Sequence, residues 1–479
     1  MKPEWGKITA AQIIGPIQGK LVAGQADISL AGLSTDSRKA LQGELFWALK
    51  GEKYDGHDFV EKAIQSGASG IVIRESYLPH LAKHVRPDQM EAPPVIITVK
   101  DTLEALGELA GWWRRQYDVP VAAVTGSVGK TTTKEMCASI LGQVGSVLKS
   151  QGNYNNLIGV PLTLLRLAPG ISRVVLEMGM NRPGEIARLT QITGPDLGVI
   201  TNVGKVHLEG LGNVARVARA KCELIEESSP QADIVVNGDD QMLMEAASRL
   251  RKDLFTFGLV PGRNVFGGEI QENTPEGVSF VLHYREESRP VNLKVPGRHN
   301  VRNALAAAAA GFLMGAGPAE VVKGLEEFRG IKGRFTIEQL PCGITLIDDT
   351  YNANPDALRA ALETGKSLVP KGGRLLVALG DMLELGDEAP MEHRAAGRLV
   401  AEMGAACFMA LGEYAHEMIN GALEGGLSEE KAVWLNDRDE MVNRLGSVAE
   451  NRDLVIIKGS RMIGLEEVVR KLKESVCTG

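Results

Sequence analysis

The residues best able to do chemistry form a glycine-rich segment, VTGSVGKTT, at positions 124–132. A strand-like apolar run precedes it and a helix-like run follows, which is the context that a phosphate-binding loop requires. Glycines let backbone N–H groups converge on phosphate oxygens, and a helix N-terminus adds positive partial charge. In such a loop Lys130 would reach the β- and γ-phosphates, and Thr131 would bind Mg²⁺. The predicted nucleotide-contacting residues of this loop are Gly126, Ser127, Val128, Gly129, Lys130, Thr131 and Thr132.

Three reactive side chains follow the loop along the chain. Glu177 ends the apolar run RVVLEMG, His207 lies in TNVGKVHLEGLG, and Lys221 lies in the helix-like run ARAKCELIEE. Taken singly, they have ordinary interpretations as a helix cap or salt bridge, a structural histidine and a surface lysine. Together they follow the loop in one predicted parallel sheet, whose carboxyl edge gathers functional groups. Phosphoryl chemistry needs Mg²⁺, and Glu177 offers the hard oxygen ligand that this ion prefers.

Amide side chains form two further candidate groups. Asn153, Asn155 and Asn156 lie in the segment GNYNN, where they would either bind a polar substrate or serve as turn and cap residues. Asn300 and Asn303 are spaced i, i+3 and share one face of a predicted helix. The two amides would hydrogen-bond the edge of an adenine base. The alternative is that Asn300 caps the start of the helix.

Charged residues also open the last third of the chain. Arg334 lies in GRF, and Asp348 and Asp349 follow the apolar run ITLI. Two carboxylates at a strand end are placed for a ribose hydroxyl or a cation rather than for burial. A solvated strand end is the alternative interpretation of the pair.

The elements that must position these residues predict an α/β protein of three domains. Residues 1–100 alternate short strands and helices and predict a small α/β domain. In residues 101–332, near-continuous apolar runs predict a parallel sheet buried on both faces, followed by an antiparallel-like segment at 260–295. Residues 333–479 repeat the strand–helix rhythm and predict a Rossmann-like α/β domain.

Composition limits the classes of function. Of 479 residues, 44% are hydrophobic and 24% are charged, as in ordinary globular domains. The net charge of −7, without a long Lys/Arg cluster, argues against a nucleic-acid partner. Five scattered cysteines indicate reduced thiols in a cytoplasmic protein, and no secretion signal is expected at the N-terminus. The Ala-rich run at 303–318 predicts a buried helix rather than a membrane span.

Two other classes of protein share part of this pattern. A nucleotide-dependent switch needs the phosphate-binding loop but no second set of metal ligands. The loop alone would fit many nucleotide-binding proteins, so it does not separate these classes. It also departs from the common motif, because Val124 stands where that motif has its first glycine. A scaffold built from repeats finds no support, because no short-period repeat is present.

Taken together, the segments resemble those of the Mur ligases of peptidoglycan synthesis. They occur in the family's order: TGSVGKTT, GNYNN, the residues Glu177 and His207, ARAKCE, GRHNVRNALAA, GRF and DDTYNANPDA. The segment STDSRKALQGELFWALKGEKYDGHDFVEKAIQSGA resembles the family's uridine-binding domain. GDMLELG, EHR and KGSR resemble the members that add a dipeptide, and the Asp-Asn-Pro-Arg motif of the diaminopimelate- or lysine-adding members is absent from the sequence.

The resemblance implies an ATP-dependent amide ligase. ATP would phosphorylate the terminal carboxylate of a UDP-N-acetylmuramoyl-tripeptide, and the amine of D-alanyl-D-alanine would attack the acyl phosphate. Another Mur-type or a folylpolyglutamate-type amide ligase is the alternative. The resemblance also implies closure of the third domain on ligand binding, and we expect a monomer.

The resemblance further assigns roles to residues. Two Mg²⁺ ions are implied, one with Thr131 and Glu177 and one with His207 and Lys221, a lysine that the family often carries as an N-carbamate. Lys130, His207 and Lys221 would be catalytic. Nucleotide contacts fall on Asn300, Asn303 and Asp349, with Arg334 near the phosphates. Ser37 and Arg38 would contact UDP, and the dipeptide candidates are Asn354, His393 and Arg394.

Overall fold

Three β-sheets in succession along the chain, each packed with helices, form the protein. The computed structural model describes residues 8–39, 41–51, 53–85, 90, 93–271 and 274–476. The expected α/β class with three domains is confirmed. The boundaries at 100 and 332 stay predictions.

The first sheet has five strands. Its elements are α1 (Ala10–Ile14), β1 (Lys20–Ala23), β2 (Gly32–Ser34), β3 (Glu44–Trp47), α2 (Val60–Gln65), β4 (Gly70–Arg74), α3 (Leu78–His84) and β5 (Val95–Val99). The strand order is β1-β5-β4-β3-β2, and only β1 pairs antiparallel. The three apolar runs that predicted strands became β3, β4 and β5, because each buries nearly every side chain.

The second sheet has nine strands and carries the glycine-rich loop. Its elements are α4 (Thr102–Arg114), β6 (Val121–Thr125), α5 (Lys130–Leu141), β7 (Val147–Lys149), α6 (Gly159–Leu164), β8 (Arg173–Glu177), α7 (Glu185–Thr193), β9 (Leu197–Ile200), α8 (Leu208–Leu211), α9 (Val214–Glu227), β10 (Asp233–Asn237), α10 (Gln241–Leu250), β11 (Phe255–Gly258), β12 (Val265–Gly268), β13 (Val278–Tyr284), β14 (Glu287–Leu293), α11 (Arg298–Leu313) and α12 (Pro318–Glu327). The order is β14-β13-β12-β11-β10-β9-β6-β8-β7.

The antiparallel segment expected at 260–295 is present but belongs to this same sheet. Strands β7 to β12 and β6 pair in parallel, whereas β12–β13 and β13–β14 pair antiparallel. The strand β14 alternates exposed and buried side chains at its end, as an edge strand does. The segment therefore extends the sheet rather than forming a separate insertion.

Small residues bring helices close to the glycine-rich loop. The helix α11 contains the Ala-rich run, and its alanines are fully buried. A Cβ on Gly311 would lie 2.7 Å from Ile140 Cγ2 of α5, and one on Gly324 of α12 would lie 2.4 Å from Ile140 Cα. These glycines thus allow α5, α11 and α12 to pack tightly near the C-terminal end of α5. Within the part of the chain that the structure describes, no helix is both long and apolar enough to cross a membrane.

The third sheet has six strands. Its elements are β15 (Thr336–Gln339), β16 (Thr345–Asp349), α13 (Pro355–Ser367), β17 (Leu375–Gly380), α14 (Ala389–Glu402), β18 (Cys407–Leu411), α15 (Ala415–Glu424), β19 (Ala432–Leu435), α16 (Arg438–Val448), β20 (Leu454–Lys458) and α17 (Glu466–Val476). The order is β15-β16-β20-β17-β18-β19, with only β15 antiparallel. The carboxyl ends of β16 and β17 face the second domain, since residues that follow them contact it.

Candidate active site

The glycine-rich loop links the end of β6 to the start of α5, as predicted. Gly126 has φ +140° and Gly129 has φ +85°, both in the region that favours glycine. A Cβ on Gly126 would lie 2.0 Å from Thr201 Oγ1, and one on Gly129 would lie 2.2 Å from Asn303 Oδ1. The loop therefore needs glycine at both positions, and it lies directly against Asn303 of α11.

Side chains that follow β9 hold the loop in shape. Thr201 Oγ1 donates to the Val128 carbonyl at 2.6 Å. Asn202 bonds the same peptide twice, accepting from Val128 N–H at 2.8 Å and donating to its carbonyl at 3.0 Å. The N–H of Gly204 donates to Ser127 Oγ at 2.9 Å. Sequence reasoning missed Thr201 and Asn202, although two polar residues after an apolar strand were a usable signal.

Lys130 folds back over its own loop. Its Nζ donates to the Gly126 carbonyl at 2.8 Å and to the Ser127 carbonyl at 3.1 Å. Burial lowers the pKa of Lys130 below its usual range, and the charge of Arg334 lowers it further, whereas Glu177 and Glu384 oppose the shift. The amine is thus held over the space that nucleotide phosphates would enter.

Glu177 presents a free oxygen at the end of β8. The side chain is 2% exposed. Its Oε1 accepts from Asn155 Nδ2 at 2.9 Å, and Oε2 is buried without a hydrogen-bond partner. A buried carboxylate oxygen without a hydrogen-bond partner is a suitable hard ligand for Mg²⁺. Its placement beside the loop supports the sequence-based hypothesis.

Lys134 is a second buried lysine near Glu177, and sequence reasoning missed it. Its Nζ donates to the Ser150 carbonyl at 2.8 Å and pairs with Glu135 Oε1 at 2.8 Å. It also lies 4.0 Å from Glu177 Oε2. A lysine is fully buried only where other residues of the fold pair with it, and those partners cannot be identified from the sequence alone.

Lys221 lies on α9 and is fully buried, so its interpretation as a surface lysine is wrong. Its Nζ has no hydrogen-bond partner. Burial first, and then the charge of Lys130, hold the pKa of Lys221 well below its usual range, with Glu177 among the opposing charges. Burial therefore disfavours the charged form of this lysine, and the neutral amine is the form that reacts with CO₂.

His207 immediately precedes α8 with φ +53°, a left-handed conformation that is uncommon outside glycine. Its Nδ1 lies 2.6 Å from Glu384 Oε2, a residue of the third domain that follows β17. Sequence reasoning did not single out Glu384.

The metal ligands predicted from the resemblance are only partly assembled. Among the described side chains, no three His, Cys, Asp or Glu residues converge into a group that could hold a metal ion. The Glu177 oxygen without a hydrogen-bond partner and the lowered pKa of the buried Lys221 do fit the chemistry of such a site. Any metal set here must therefore draw on other donors, such as the Thr131 hydroxyl or a modified Lys221.

Asn300 and Asn303 lie on one buried face of α11, as predicted. Asn300 is the third residue of the helix rather than its cap, and its Nδ2 donates to the Pro296 carbonyl at 2.7 Å. Asn303 Nδ2 donates to Asn300 Oδ1 at 3.2 Å, and its own Oδ1 faces Gly129. This contact connects the amide pair to the loop.

The aspartate pair of the third domain is not a solvated strand end. Both residues belong to β16, and Asp348 is buried with its Oδ1 bonded to the Thr350 hydroxyl at 2.6 Å. Asp349 Oδ2 accepts from the buried Lys458 Nζ at 2.7 Å. Burial raises the pKa of Asp349, and Lys458 opposes that shift. The expectation of exposure failed because Lys458, on the neighbouring β20, supplies a counter-charge.

Arg334 lies close to the same strand end. Its guanidinium carbon lies 4.0 Å from the centre of the Tyr351 ring, and its Nε is buried without a hydrogen-bond partner. Because the charge of Arg334 lowers the pKa of Lys130, the third domain places a cation near the loop.

Comparisons with known proteins agree with this geometry. Three family models match the chain: "Mur ligase family, catalytic domain" at 29–114, "Mur ligase middle domain" at 124–311, and "Mur ligase, glutamate ligase domain" at 333–461. A curated relative from Escherichia coli strain K12, named UDP-N-acetylmuramoyl-tripeptide–D-alanyl-D-alanine ligase, is 36% identical over 98% of this chain and 99% of its own length. The chain belongs to the Mur ligase family.

Solved structures of Mur ligases superpose on the whole chain. A crystal structure of MurF from Acinetobacter baumannii matches with a TM-score of 0.86 and 33% identity, covering 98% of this chain and all of that one. A MurF ligase from Thermotoga maritima, solved in complex with ADP, matches with a TM-score of 0.80 and 27% identity. It covers 93% of this chain and 97% of that one. The chain is thus a ligase with an ATP-binding domain, as its Mur-type loop indicates.

The remaining predicted residues of this Mur ligase are distributed unevenly. Asn155 contacts Glu177, but Asn156 Oδ1 caps α6 by accepting from Gly159 N–H at 2.9 Å, and Asn153 is exposed. Asn354 caps α13, with its Oδ1 accepting from Ala357 N–H at 2.9 Å. These cap bonds explain why the two residues occur at helix starts, and a substrate role for either stays a prediction.

The N-terminal candidates lie on a turn after β2. Ser37 is buried, whereas Arg38 is exposed and its Nε donates to Asp36 Oδ1 at 2.9 Å. That pairing, with Arg38 as its largest cause, lowers the pKa of Asp36 to about 2.

His393 and Arg394 do not face an open site. Both ring nitrogens of the buried His393 bond backbone groups, those of Met382 and Ala389. Arg394 pairs on the surface with Glu417 and Glu424. His393 therefore has no free ring nitrogen for a dipeptide, and a dipeptide role for Arg394 stays a prediction.

Proposed function

We propose that this chain is an ATP-dependent ligase that joins D-alanyl-D-alanine to UDP-N-acetylmuramoyl-tripeptide. The observation that carries the proposal is full-length similarity to an enzyme of that name, combined with a site in which Lys130 of the phosphate-binding loop interacts electrostatically with the buried Glu177 and Lys221. The GDMLELG segment supports the dipeptide-adding activity by its resemblance to that of the dipeptide-adding members, and it brings Glu384 of the third domain to His207.

The chemistry converts a poor electrophile into a good one. A carboxylate oxygen of the tripeptide attacks the γ-phosphorus of ATP, and the bond from that phosphorus to the β-phosphate oxygen breaks, releasing ADP. The dipeptide amine then attacks the acyl carbon, and phosphate leaves with the shared oxygen as the amide forms. The protein contributes alignment and positive charge, with Lys130 and the N-terminus of α5 stabilising the phosphoryl oxygens.

Divalent cations belong to this proposal. Thr131 and Glu177 would hold one Mg²⁺, and His207 with a carbamate of Lys221 would hold a second. The ions would neutralise phosphate charge during transfer. The buried Glu177 Oε2, which has no hydrogen-bond partner, supports the first position. The lowered pKa of Lys221 supports the modification, since it favours the neutral amine that captures CO₂, and the carbamate is then an anionic oxygen ligand, which an ammonium cannot be.

Substrate contacts are proposed at three places. The nucleotide would lie against Asn300, Asn303 and Asp349, near Arg334. Asn153, Asn155 and Asn156 would contact the muramoyl peptide, and Asn354 the incoming dipeptide. Ser37 and Arg38 would contact UDP. We further propose domains at 1–100, 101–332 and 333–479, in a cytoplasmic monomer.

An acceptor panel tests the proposal. Purified protein with ATP and Mg²⁺ would be assayed for phosphate release with four substrate pairs: UDP-N-acetylmuramoyl-tripeptide with D-alanyl-D-alanine, the shorter UDP-muramoyl substrates with D-glutamate or with diaminopimelate, and a folate with L-glutamate. We expect turnover with the dipeptide and none with the single amino acids. Turnover with diaminopimelate or D-glutamate on its shorter muramoyl substrate would instead indicate another Mur-type ligase. Turnover with L-glutamate on a folate would indicate the folylpolyglutamate type.

A further inference from the structure

Glu384 belongs to the third domain and contacts His207 of the second domain. It lies in the loop 381–386 after β17. Its carbonyl accepts from the N–H of Glu209 at 3.2 Å, and its Oε2 lies 2.6 Å from His207 Nδ1. His207 is 19% exposed at its side chain and Glu384 51%, so the contact lies at the rim of the domain interface.

Buried groups of the third domain hold this loop in place. The N–H of Met382 donates to His393 Nε2 at 2.9 Å, so the proton of that ring is on Nδ1, which bonds the Ala389 carbonyl at 2.6 Å. The N–H of Leu383 donates to Ser460 Oγ at 2.9 Å. The segments EHR and KGSR therefore hold in place the loop formed by GDMLELG, in which Glu384 is exposed.

The first residue of the loop is fixed as well. Asp381 accepts from the N–H of Glu413 at 2.7 Å and from that of Tyr414 at 3.1 Å, at the start of α15. Three elements of the third domain thus set the position of Glu384.

The two residues that meet are both strained. His207 has φ +53° and Glu384 has φ +65°. For residues other than glycine this conformation costs on the order of 1–2 kcal/mol each, and it persists only where the surrounding structure requires it. Gly386 has φ +56°, and a Cβ there would lie 3.1 Å from Glu209 Cα, so the loop also contacts α8 closely.

A second contact across the same interface provides a control. Lys205 pairs with Glu392 at 2.5 Å and with Glu388 at 3.6 Å. Glu388 has the same charge as Glu384, comes four residues later and faces the same domain, but its partner is Lys205 rather than His207.

We propose that Glu384 is a positioning residue, the carboxylate from the third domain that orients the His207 imidazole in the second. Glu384 lies 2.6 Å from Nδ1 as an ion-pair partner, although Nδ1 makes no hydrogen bond among the described residues, and Nε2 lies on the side of the ring away from that carboxylate. Histidines that bind metals almost always donate their other ring N–H to such an oxygen, and losing that partner typically costs 10–100-fold in metal affinity or activity. The inference rests on the proposed function, because it gives His207 its predicted ligand role. If Glu384 orients His207, the site is complete only when the third domain is docked against the second.

The first measurement needs neither substrates nor metal. Imidazole ¹⁵N–¹H spectra of the protein, with the His207 signal identified by loss in His207→Gln, would be compared among wild type, Glu384→Gln and Glu388→Gln. We expect the His207 signals to move in Glu384→Gln and to stay unchanged in Glu388→Gln, with the other histidines unaffected in both. An unmoved His207 signal in Glu384→Gln would overturn the proposal.

The second measurement concerns the cation and the reaction. Mn²⁺ binding followed by electron paramagnetic resonance should weaken about 10–100-fold in Glu384→Gln and stay unchanged in Glu388→Gln. The kcat for ligation should fall by about the same factor, with the KM for ATP unchanged and partial rescue in Glu384→Asp. Equal kcat and equal Mn²⁺ affinity in wild type and Glu384→Gln would overturn the positioning role. If wild type does not ligate the dipeptide, the proposed function is wrong, and the Mn²⁺ affinities alone then decide the role of Glu384.

Discussion

Two fully buried lysines of the second domain should respond in opposite ways to replacement by methionine. Lys221 Nζ has no hydrogen-bond partner, whereas Lys134 Nζ donates to the Ser150 carbonyl and pairs with Glu135. Methionine keeps the length and the apolar stem of lysine. Lys221→Met therefore removes a buried polar group that has no partner, and Lys134→Met removes one that has two.

The expected magnitudes follow from these contacts. Burying an unsatisfied polar group costs about 1–3 kcal/mol, so Lys221→Met should raise the free energy of unfolding by at least that amount at pH 7, where the lowered pKa of Lys221 adds to the cost. Lys134→Met leaves the Ser150 carbonyl without its donor and removes one cation from Glu135, so it should lower the free energy of unfolding by about 2 kcal/mol or more. Lys221→Met should also abolish ligation, because the predicted carbamate cannot form.

The effect of Lys221 should depend on pH. Since the folded-state pKa of Lys221 is lowered, the unfolded chain binds a proton that the folded chain does not, from that lowered pKa up to about 10.4. The free energy of unfolding of wild type should therefore rise with pH in this window, by up to about 1.4 kcal/mol per unit relative to Lys221→Met. The advantage of the methionine variant should be largest at neutral pH and should shrink as the pH approaches 10.4.

The assay is urea unfolding of the three proteins in CO₂-free buffer without Mg²⁺, at pH 7 and pH 9, with comparison of the midpoint and the denaturant slope. A Lys221→Met protein that is less stable than wild type at pH 7, or that gains stability relative to wild type from pH 7 to pH 9, would refute the reasoning. Either result would mean that the amine is charged or paired in the folded protein.

Three further substitutions test other parts of the site. Gly129→Ala places a Cβ 2.2 Å from Asn303 Oδ1 at φ +85°, so ATP affinity measured by titration calorimetry should fall at least about 10-fold, and equal affinity would argue against the loop geometry. Lys458→Met leaves buried Asp349 without its cation and should lower the free energy of unfolding by about 3–5 kcal/mol in thermal unfolding. The double variant Asp349→Asn, Lys458→Met should recover part of that loss. An unchanged unfolding midpoint in Lys458→Met would contradict the buried ion pair. Glu177→Gln keeps an oxygen for Asn155 but removes the charge, so the Mg²⁺ concentration for half-maximal turnover should rise about 10-fold, whereas an unchanged requirement would exclude Glu177 as a ligand.

Groups that follow the loop in sequence were predictable because their signals are local. The glycine-rich segment lies between a strand and a helix, and Glu177 ends an apolar strand of the same sheet, so the carboxyl edge brings them together. The short strands β1, β2 and β7 were not predicted, since three or four residues with exposed or mixed faces carry little periodicity.

Contacts made across elements were beyond local patterns. Lys134 follows the loop by one helical turn and looks like an exposed helix residue until Ser150 and Glu135 enclose it. Glu384 looks like a loop glutamate, and only the docking of two domains places it on His207. His393 was a candidate for the dipeptide because of its type, but its ring nitrogens are occupied by backbone groups.

The central claim is that the γ-phosphate of ATP is transferred to a carboxylate and not to water. The most direct measurement uses UDP-N-acetylmuramoyl-tripeptide labelled with ¹⁸O in its terminal carboxylate, together with ATP, Mg²⁺ and D-alanyl-D-alanine. The account predicts that each phosphate released carries one labelled oxygen and that the amide product keeps the other. Unlabelled phosphate alongside amide product would contradict the acyl phosphate and with it the role assigned to the loop.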